Sequence, residues 1–426
     1  MQMAISVKRH KVTSRKFSRN FFYLRTANIL CYVSRSKCIF ELRLKRTPSA
    51  RLSPSILGFS HLLRSTRSEF SNFLQWKKTC APDFMLRTML EHSPAVKIGT
   101  HDGTFHCDEV LACALLKLLP PFKNASIVRS RTQSVLETCN IVVDVGGEYD
   151  PSRHRYDHHM REFQETMSSV MKKPGYNWTI KLSSAGLIYC HFGHEILRSI
   201  FPEVTEDRII EEIFKKVYDT LIKEIDAIDN GVPMYDAEPL YRIVTDLSAR
   251  VSRLNPQWNS QDVNIEEQFK KAMTLVLDEF LEFVRYAKNV WLPARDIVRQ
   301  AVEDRFKVDP SGEIIVLSQT VPWKEHLFQL EKEMNVSPSI KYAVFESDDT
   351  FRVQCMPVAQ GSFICRMFLP EAWGGLRNDA LVEACEIKGA VFVHSVRFIG
   401  GHKTKDGALA MARKALEIGH AARCIN

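Results

Sequence analysis

Tyr156-Asp157-His158-His159-Met160 places a carboxylate beside two adjacent imidazoles. It comes shortly after a strand-like run, Ile141-Val142-Val143-Asp144-Val145, that ends on Gly146-Gly147. Imidazoles bind transition metals or phosphate oxygens, and a neighbouring carboxylate can orient one of them. Alone, the three residues fit a surface turn equally well, so their meaning depends on partners elsewhere in the chain.

Upstream, Val96-Lys97-Ile98-Gly99 is a short strand that runs into Thr100-His101-Asp102-Gly103-Thr104-Phe105-His106-Cys107-Asp108-Glu109. A helix follows from Val110 to Leu119, apolar nearly all round and stopped by Pro120-Pro121. Residues 125–131 read as a second strand ending in Arg129 and Arg131, and 141–145 as a third with Asp144 at its end. Strands separated by a helix in this way form a parallel sheet, and such folds bind ligands at the carboxyl ends of the strands. Downstream, Ser183-Ser184-Ala185-Gly186 opens a helix through Leu197 with a serine as N-cap. A further helix over 206–229 carries Asp226 and Asp229, three apart and so on one face.

Four groups of ionisable side chains therefore recur at strand ends or on a helical face. They are His101, His106 and Asp108; Asp144; Asp157, His158 and His159; and Asp226 or Asp229. Singly, each has a structural reading: a loop histidine, a helix N-cap at Asp108, a strand-end acid, a solvated helix edge. Together they supply the mixed carboxylate and imidazole set that two divalent ions and a bridging carboxylate require. Such a set suits Mn²⁺ best, with Mg²⁺, Co²⁺ or Zn²⁺ as alternatives.

Charge divides the chain. The first 90 residues hold 18 Lys and Arg against three acids, leaving 40 against 47 of the totals of 58 and 50 for the rest. Basic, Ser-rich and acid-poor sequence with interspersed apolar residues has the composition of an organellar transit peptide, and a disordered RNA-binding arm is the alternative. Eleven scattered cysteines without a C-x-x-C pair read as free thiols in a reducing compartment. No apolar run is long enough to span a membrane. Helices over 265–292 and on to about 306 read as a connector, and a second α/β unit begins near Val308. There, Tyr342–Glu346 and Phe351–Met356 flank a hairpin turn, and 390–398 is a strand. Gly400-Gly401-His402-Lys403 follows as a glycine loop before the final helix, a place where backbone N–H groups can approach an anion.

The Asp157-His158-His159 triplet, the His-rich first motif and the isolated Asp144 resemble the DHH phosphoesterase superfamily. The match is closer to one branch, the melanocyte-proliferating-gene exonuclease family, over nearly all of residues 95–420. It is carried by the stretches 98–109, 142–159, 182–193 and 398–407, by Trp291-Leu292-Pro293-Ala294-Arg295, by 308–313, and by Pro322-Trp323-Lys324-Glu325-His326. The resemblance implies a metal-dependent 3′→5′ RNA exonuclease acting in the mitochondrial matrix and in the nucleus or nucleolus. It implies His101, His106 and Asp108 as metal ligands, Asp144 as the bridging carboxylate, His158 as a ligand and His159 as a phosphate contact or acid. Asp157 orients its neighbours, Asp229 is the fourth acid with Asp226 as the alternative, and Gly400-Gly401-His402 is the phosphate loop. Arg129, Arg131 and Lys403 are candidate phosphate contacts. The superfamily usually has Asp where His106 stands, and relatives often have three glycines where this chain has two before His402.

The expected architecture is α/β. A basic leader (1–92) precedes a parallel-sheet DHH-like metal-binding domain (93–262), a helical connector (263–307) and a smaller α/β or α+β substrate-binding domain (308–426) that closes over the strand ends. The expected partner is the 3′ end of single-stranded RNA. Two other functions fit the same residues: a small-molecule phosphoesterase acting on pyrophosphate, short oligonucleotides or a cyclic dinucleotide, and a non-catalytic RNA-binding protein.

Overall fold

The structure is a computed structural model that describes residues 95–425 and two short strands, β1 (Ile29–Cys31) and β2 (Leu42–Leu44), paired antiparallel. The rest of the expected leader lies outside the described residues. Pro94–Asn426 forms a compact unit of its own.

The first sheet has the order β4-β3-β5-β7-β6, from β3 (Lys97–Thr100), β4 (Ser126–Arg129), β5 (Ile141–Val143), β6 (Tyr149–Asp150) and β7 (Arg155–Tyr156). The first four positions are parallel, as expected from the strand–helix spacing, and β6 adds an antiparallel edge. Helix α1 (Cys107–Leu116) has all ten residues buried, which is why its sequence after Asp108 and Glu109 is apolar all round. The short α2 (Gln133–Leu136) and α3 (Met167–Met171) precede α4 (Ser184–Ile200), which packs on α1.

The helix expected over 206–229 is two helices, α5 (Asp207–Val217) and α6 (Lys223–Asp229), joined through one wide π-turn at Tyr218–Ile222. After a short α7 (Leu247–Ser252), the long α8 (Ile265–Tyr286) starts at Asn264, whose side chain accepts hydrogen bonds from the amides of Glu266 and Glu267. Its stripe of Phe269, Ala272, Val276, Phe280 and Val284 enters the core of the first sheet, so this part of the expected connector is a wall of that core.

A second wide turn, Ala287–Trp291, leads into α9 (Leu292–Glu303) and the short α10 (Arg305–Val308). Two contacts tie this joint to α11 (Lys324–Glu333). His326 Nε2 donates to the Trp291 carbonyl at 2.7 Å, and Lys216 of α5 pairs with Glu325 at 2.5 Å.

The second sheet has the order β11-β12-β10-β9-β8. Its strands are β8 (Ile314–Val316), β9 (Tyr342–Ser347), β10 (Thr350–Cys355), β11 (Ala390–Val393) and β12 (Ile399–His402). The pleat sends Ile314, Tyr342 and Val344 to one core, with α12 (Asn378–Cys385) and α13 (Lys405–Ile425). It sends Ile315, Ala343 and Phe345 to the other, with α9 and α11. Helices thus cover both faces. The strand expected over 390–398 instead stops at Val393, and the glycine loop expected at 400–402 is β12, paired with both β10 and β11. Gly401 has a packing reason: a Cβ there would lie 2.5 Å from Phe392 Cε1. No helix among the described residues is long and apolar enough to cross a membrane.

Candidate metal centre

The carboxyl ends of β3 and β5, the segment after β7, and the ends of α1, α4 and α6 meet in one buried cluster. His101 leaves β3 with its Nε2 3.1 Å from Glu109 Oε1 and 3.2 Å from Asp144 Oδ2. Burial opposes a charge on this ring, but the Asp144 and Glu109 carboxylates overcome it and push His101 up to about 10.

Asp144 follows β5 with a φ of 62°, in the left-handed region that a side chain-bearing residue rarely adopts. Holding it there costs roughly 1–3 kcal/mol, and the turn aims the carboxylate inward. Its Oδ1 lies 3.1 Å from His158 Nε2 and accepts from Ser184 Oγ at 3.2 Å, while Oδ2 faces His101. Burial alone would raise this carboxyl, yet His101 and His158 hold it well below the usual range.

Asp108, in the first turn of α1, is 1 % exposed. Its Oδ2 accepts from the Ser184 amide at 3.3 Å and lies 3.7 Å from His158 Nε2, and its Oδ1 is buried with no partner. Burial, then Asp144 and Asp229, push this carboxyl far up. Asp229, the last residue of α6, brings Oδ2 to 3.3 Å from His158 Nε2. Burial raises its carboxyl, His158 opposes the rise, and Asp144 adds to it. His158 Nε2 thus faces three carboxylates.

Asp157 is buried but turned aside. Its Oδ2 accepts from the Gly147 amide at 2.6 Å, and its Oδ1 accepts from the His159 amide at 3.1 Å and from His159 Nδ1 at 2.8 Å. That last hydrogen bond holds His159 above its ordinary value, on a side chain that is 64 % exposed. Asp157 therefore orients His159. His106 is exposed at the mouth, its ring 5.8 Å from that of His101.

The other expected residues divide. Arg131 reaches the cluster, with Nη2 3.2 Å from His101 Nδ1 and its side chain 64 % exposed. Arg129 does not present itself to a ligand. Its side chain is 2 % exposed, lies over the Phe269 ring, donates to the Gly103 carbonyl at 2.6 Å and pairs with Glu266. The phosphate contact expected of Arg129 is thus taken up by structure, because α8 covers this strand end. Asp226 is separate from the cluster and accepts from the Ser183 amide, Ser183 Oγ, the Gly186 amide and Tyr218 Oη. Burial pushes its carboxyl up to about 7 against those donors. His402 is buried with Nε2 on the Lys388 carbonyl at 3.1 Å, and none of Gly400, Gly401, His402 or Lys403 bonds a member of the cluster.

Two participants escaped the sequence reading. Glu109 touches His101 and also accepts from the His106 amide at 2.9 Å. An acid three residues after His106 at a helix start is the signal that pointed to it. Ser184 serves Asp144 through its hydroxyl and Asp108 through its amide, which its place at the start of α4 announces.

These residues fit divalent cations. Asp108, Glu109, Asp144 and Asp229 converge, and among the described residues no Lys or Arg forms a salt bridge to any of the four. Only histidines offset these buried carboxylates, a costly arrangement, and Asp108 Oδ1 is left with no partner at all, as a site for a cation requires. Three overlapping sets can each place their donor atoms within 4.8 Å of one another: His101, His106, Glu109 and Asp144; Asp144, His158 and His159; Asp108, His158 and Asp229.

Residues 97–416 match the model of MYG1_exonuc, an uncharacterised protein family (UPF0160). Similar proteins include MYG1 exonuclease of Rattus norvegicus, 52 % identical over 323 residues that make up 75 % of this chain and 84 % of that protein. MYG1 exonuclease of Homo sapiens is 51 % identical over 75 % of this chain and 85 % of its own. MYG1 protein YER156C of Saccharomyces cerevisiae is 38 % identical over 78 % and 98 %. The crystal structure of RecJ in complex with Mn²⁺ from Thermus thermophilus covers 79 % of this chain and 54 % of that one. Its TM-score of 0.21 and identity of 11 % are too low to equate the two folds. By the family model and by these relatives, the chain belongs to the MYG1_exonuc family.

Proposed function

We propose that the chain is a metal-dependent exonuclease that hydrolyses RNA from the 3′ end, with two divalent ions, Mn²⁺ first, held at the strand ends. The observation that carries this reading is the convergence of Asp108, Asp144 and Asp229 on His158 Nε2 without a Lys or Arg counter-ion. The names of the rat and human relatives support exonuclease activity.

His101, His106, Glu109 and Asp144 would hold one ion, and Asp108, His158, Asp229 and Asp144 the other. Asp144 supports the bridging role because its two oxygens face different imidazoles. Bound there, such ions supply positive charge against phosphoryl oxygens and lower the pKa of water. The chain's own residues complete the site. Asp157 fixes the His159 ring and favours its charged form, so that the exposed ring is placed to donate to a phosphoryl oxygen or to the leaving oxygen. Arg131, at the rim, offers a guanidinium to the phosphate. Ser184 holds Asp144 in place, and the left-handed turn at Asp144 sets its direction before any ligand arrives.

The test uses RNA labelled at its 5′ end, with Mn²⁺, Mg²⁺ or chelator. A product ladder shortening from the 3′ end, lost with chelator and in Asp144→Asn, is expected. Undiminished products in Asp144→Asn would overturn the assignment. The acid excess of residues 91–426, 47 against 40 basic residues, favours a second reading, a phosphoesterase of small substrates. That reading gains if short oligonucleotides are cut and long RNA is not. The acid-poor leader supports a mitochondrial address, with the nucleus or nucleolus as the other site of action.

A further inference from the structure

Ten of the eighteen large apolar side chains that are exposed among the described residues fall between Ile228 and Val263, so this segment is the surface that needs an occupant. It begins beside Asp229. Met234 is 80 % exposed, Tyr241 77 % and Trp258 95 %, and Tyr235 and Leu240 stand out with them. Its far end is anchored. Asn255 clamps the backbone of Phe105, accepting from the Phe105 amide at 2.9 Å and donating to its carbonyl at 2.8 Å. Phe105 is the neighbour of His106. Three residues past the clamp, Trp258 sits in a turn closed by the Ser260 amide on the Gln257 carbonyl at 2.9 Å, and by the Gln257 amide on Ser260 Oγ at 3.2 Å. Arg253 donates to the Val244 carbonyl at 2.8 Å and ties the two arms of the segment together.

An aromatic ring held outward by a closed turn offers both faces at little entropic cost. The segment follows Asp229 directly, and near its other end Asn255 is bonded to Phe105 beside His106, so it borders two members of the metal cluster. Three exposed rings, Tyr235, Tyr241 and Trp258, suit planar partners, and Arg242 has no salt bridge among the described residues. We propose that residues 231–263 form a stacking platform for the bases of a single-stranded nucleic acid whose scissile phosphate lies in the cluster, with Trp258 as its main ring. This deepens the function proposed above and rests on it. Stacking serves any base, so the platform grips a strand without reading its sequence. It also selects against duplex, whose bases are already stacked.

The test compares the full-length wild type with Trp258→Ala, Trp258→Phe and Tyr241→Ala in Mn²⁺. The substrates are a single-stranded oligonucleotide and bis(p-nitrophenyl) phosphate, a diester too small to reach from the cluster to the platform. Expected is a roughly tenfold rise in KM for the oligonucleotide in Trp258→Ala, most of it restored in Trp258→Phe, with the small diester hydrolysed as by the wild type. Equal activity of Trp258→Ala and wild type on the oligonucleotide would overturn the platform. So would an equal loss on both substrates, which would mean that Trp258 only supports the fold. If the wild type hydrolyses neither substrate, the metal-site reading fails, and the platform is judged by binding alone. Tryptophan emission should then be quenched by the metal-free oligonucleotide in the wild type and in Tyr241→Ala but not in Trp258→Phe, and absence of quenching refutes it. A concentration-dependent dimer that Trp258→Ala abolishes, with oligonucleotide binding unchanged, would assign the surface to a second copy of the chain instead.

Discussion

Removing one acid from the cluster should move stability in opposite directions with and without metal. In the metal-free protein, Asp108 and Asp229 each bring an oxygen within 4.8 Å of the other and of His158. Were both charged, they would repel by roughly 3 kcal/mol at an effective dielectric near 20, a cost the metal-free protein relieves by the raised Asp108 carboxyl taking up a proton. The 3.3 Å contact of Asp229 with His158 returns part of this when the ring is charged. Asp229→Asn should therefore stabilise the metal-free protein by about 1–2 kcal/mol, a rise in Tm of about 2–5 °C. With Mn²⁺ at a hundred times its dissociation constant, the wild type should gain ~2.7 kcal/mol, and the variant at the same concentration should gain little. Asp226→Asn, whose site is occupied by Ser183, Gly186 and Tyr218, should keep the full response to Mn²⁺. Differential scanning calorimetry with chelator and with Mn²⁺ reads both effects. A metal-free Asp229→Asn that is less stable than wild type, with an undiminished Mn²⁺ shift, would refute both the crowding argument and the place of Asp229 among the ligands.

Gly186→Ala would drive a Cβ to 2.3 Å from Asp226 Oδ1, and should cost about 3 kcal/mol or more in urea unfolding because both partners are buried. Asp226 itself sets a pH dependence. Its carboxyl is raised from 3.8 to about 7 on folding, so the folded state binds the extra proton, and that contribution is complete below pH 4 and lost as pH rises through 7. Wild-type stability should accordingly fall relative to Asp226→Asn between about pH 4 and 7 and stay level above, as urea midpoints at pH 5 and pH 8 will show; an unchanged difference would mean that the four donors keep the carboxylate charged throughout. Residues 1–92 fused to a fluorescent protein should carry it to mitochondria, and a diffuse reporter would count against the transit reading of the leader.

The parallel sheet and most of the cluster were legible because they are local. A β-branched run ending in Asp144 and then glycines, and histidines directly after a strand, fix their own position at a strand end. What failed depends on distant partners. Arg129 ends a strand as a solvated arginine would, but Phe269, 140 residues away, covers it. Gly400 and Gly401 have the local signature of an anion-binding loop, yet pairing with 351–354 makes them strand. Asp226 and Asp229 share a helical face and only the packing of α4 separates them, because the Ser183 and Gly186 amides capture the first and leave the second to His158. Glu109 went unnoticed because Asp108 beside it satisfied the expectation of one acid at the helix start.

The π-turn at Ala287–Trp291 has a mechanical consequence. At its end the Trp291 carbonyl accepts from His326, and Lys216 of α5 pairs with Glu325. These two contacts act as a riveted joint between the two sheets. A rigid swing of the second sheet over the strand ends must shear both rivets and expose the buried His326 ring. The joint therefore holds the second sheet as a stationary frame for the first.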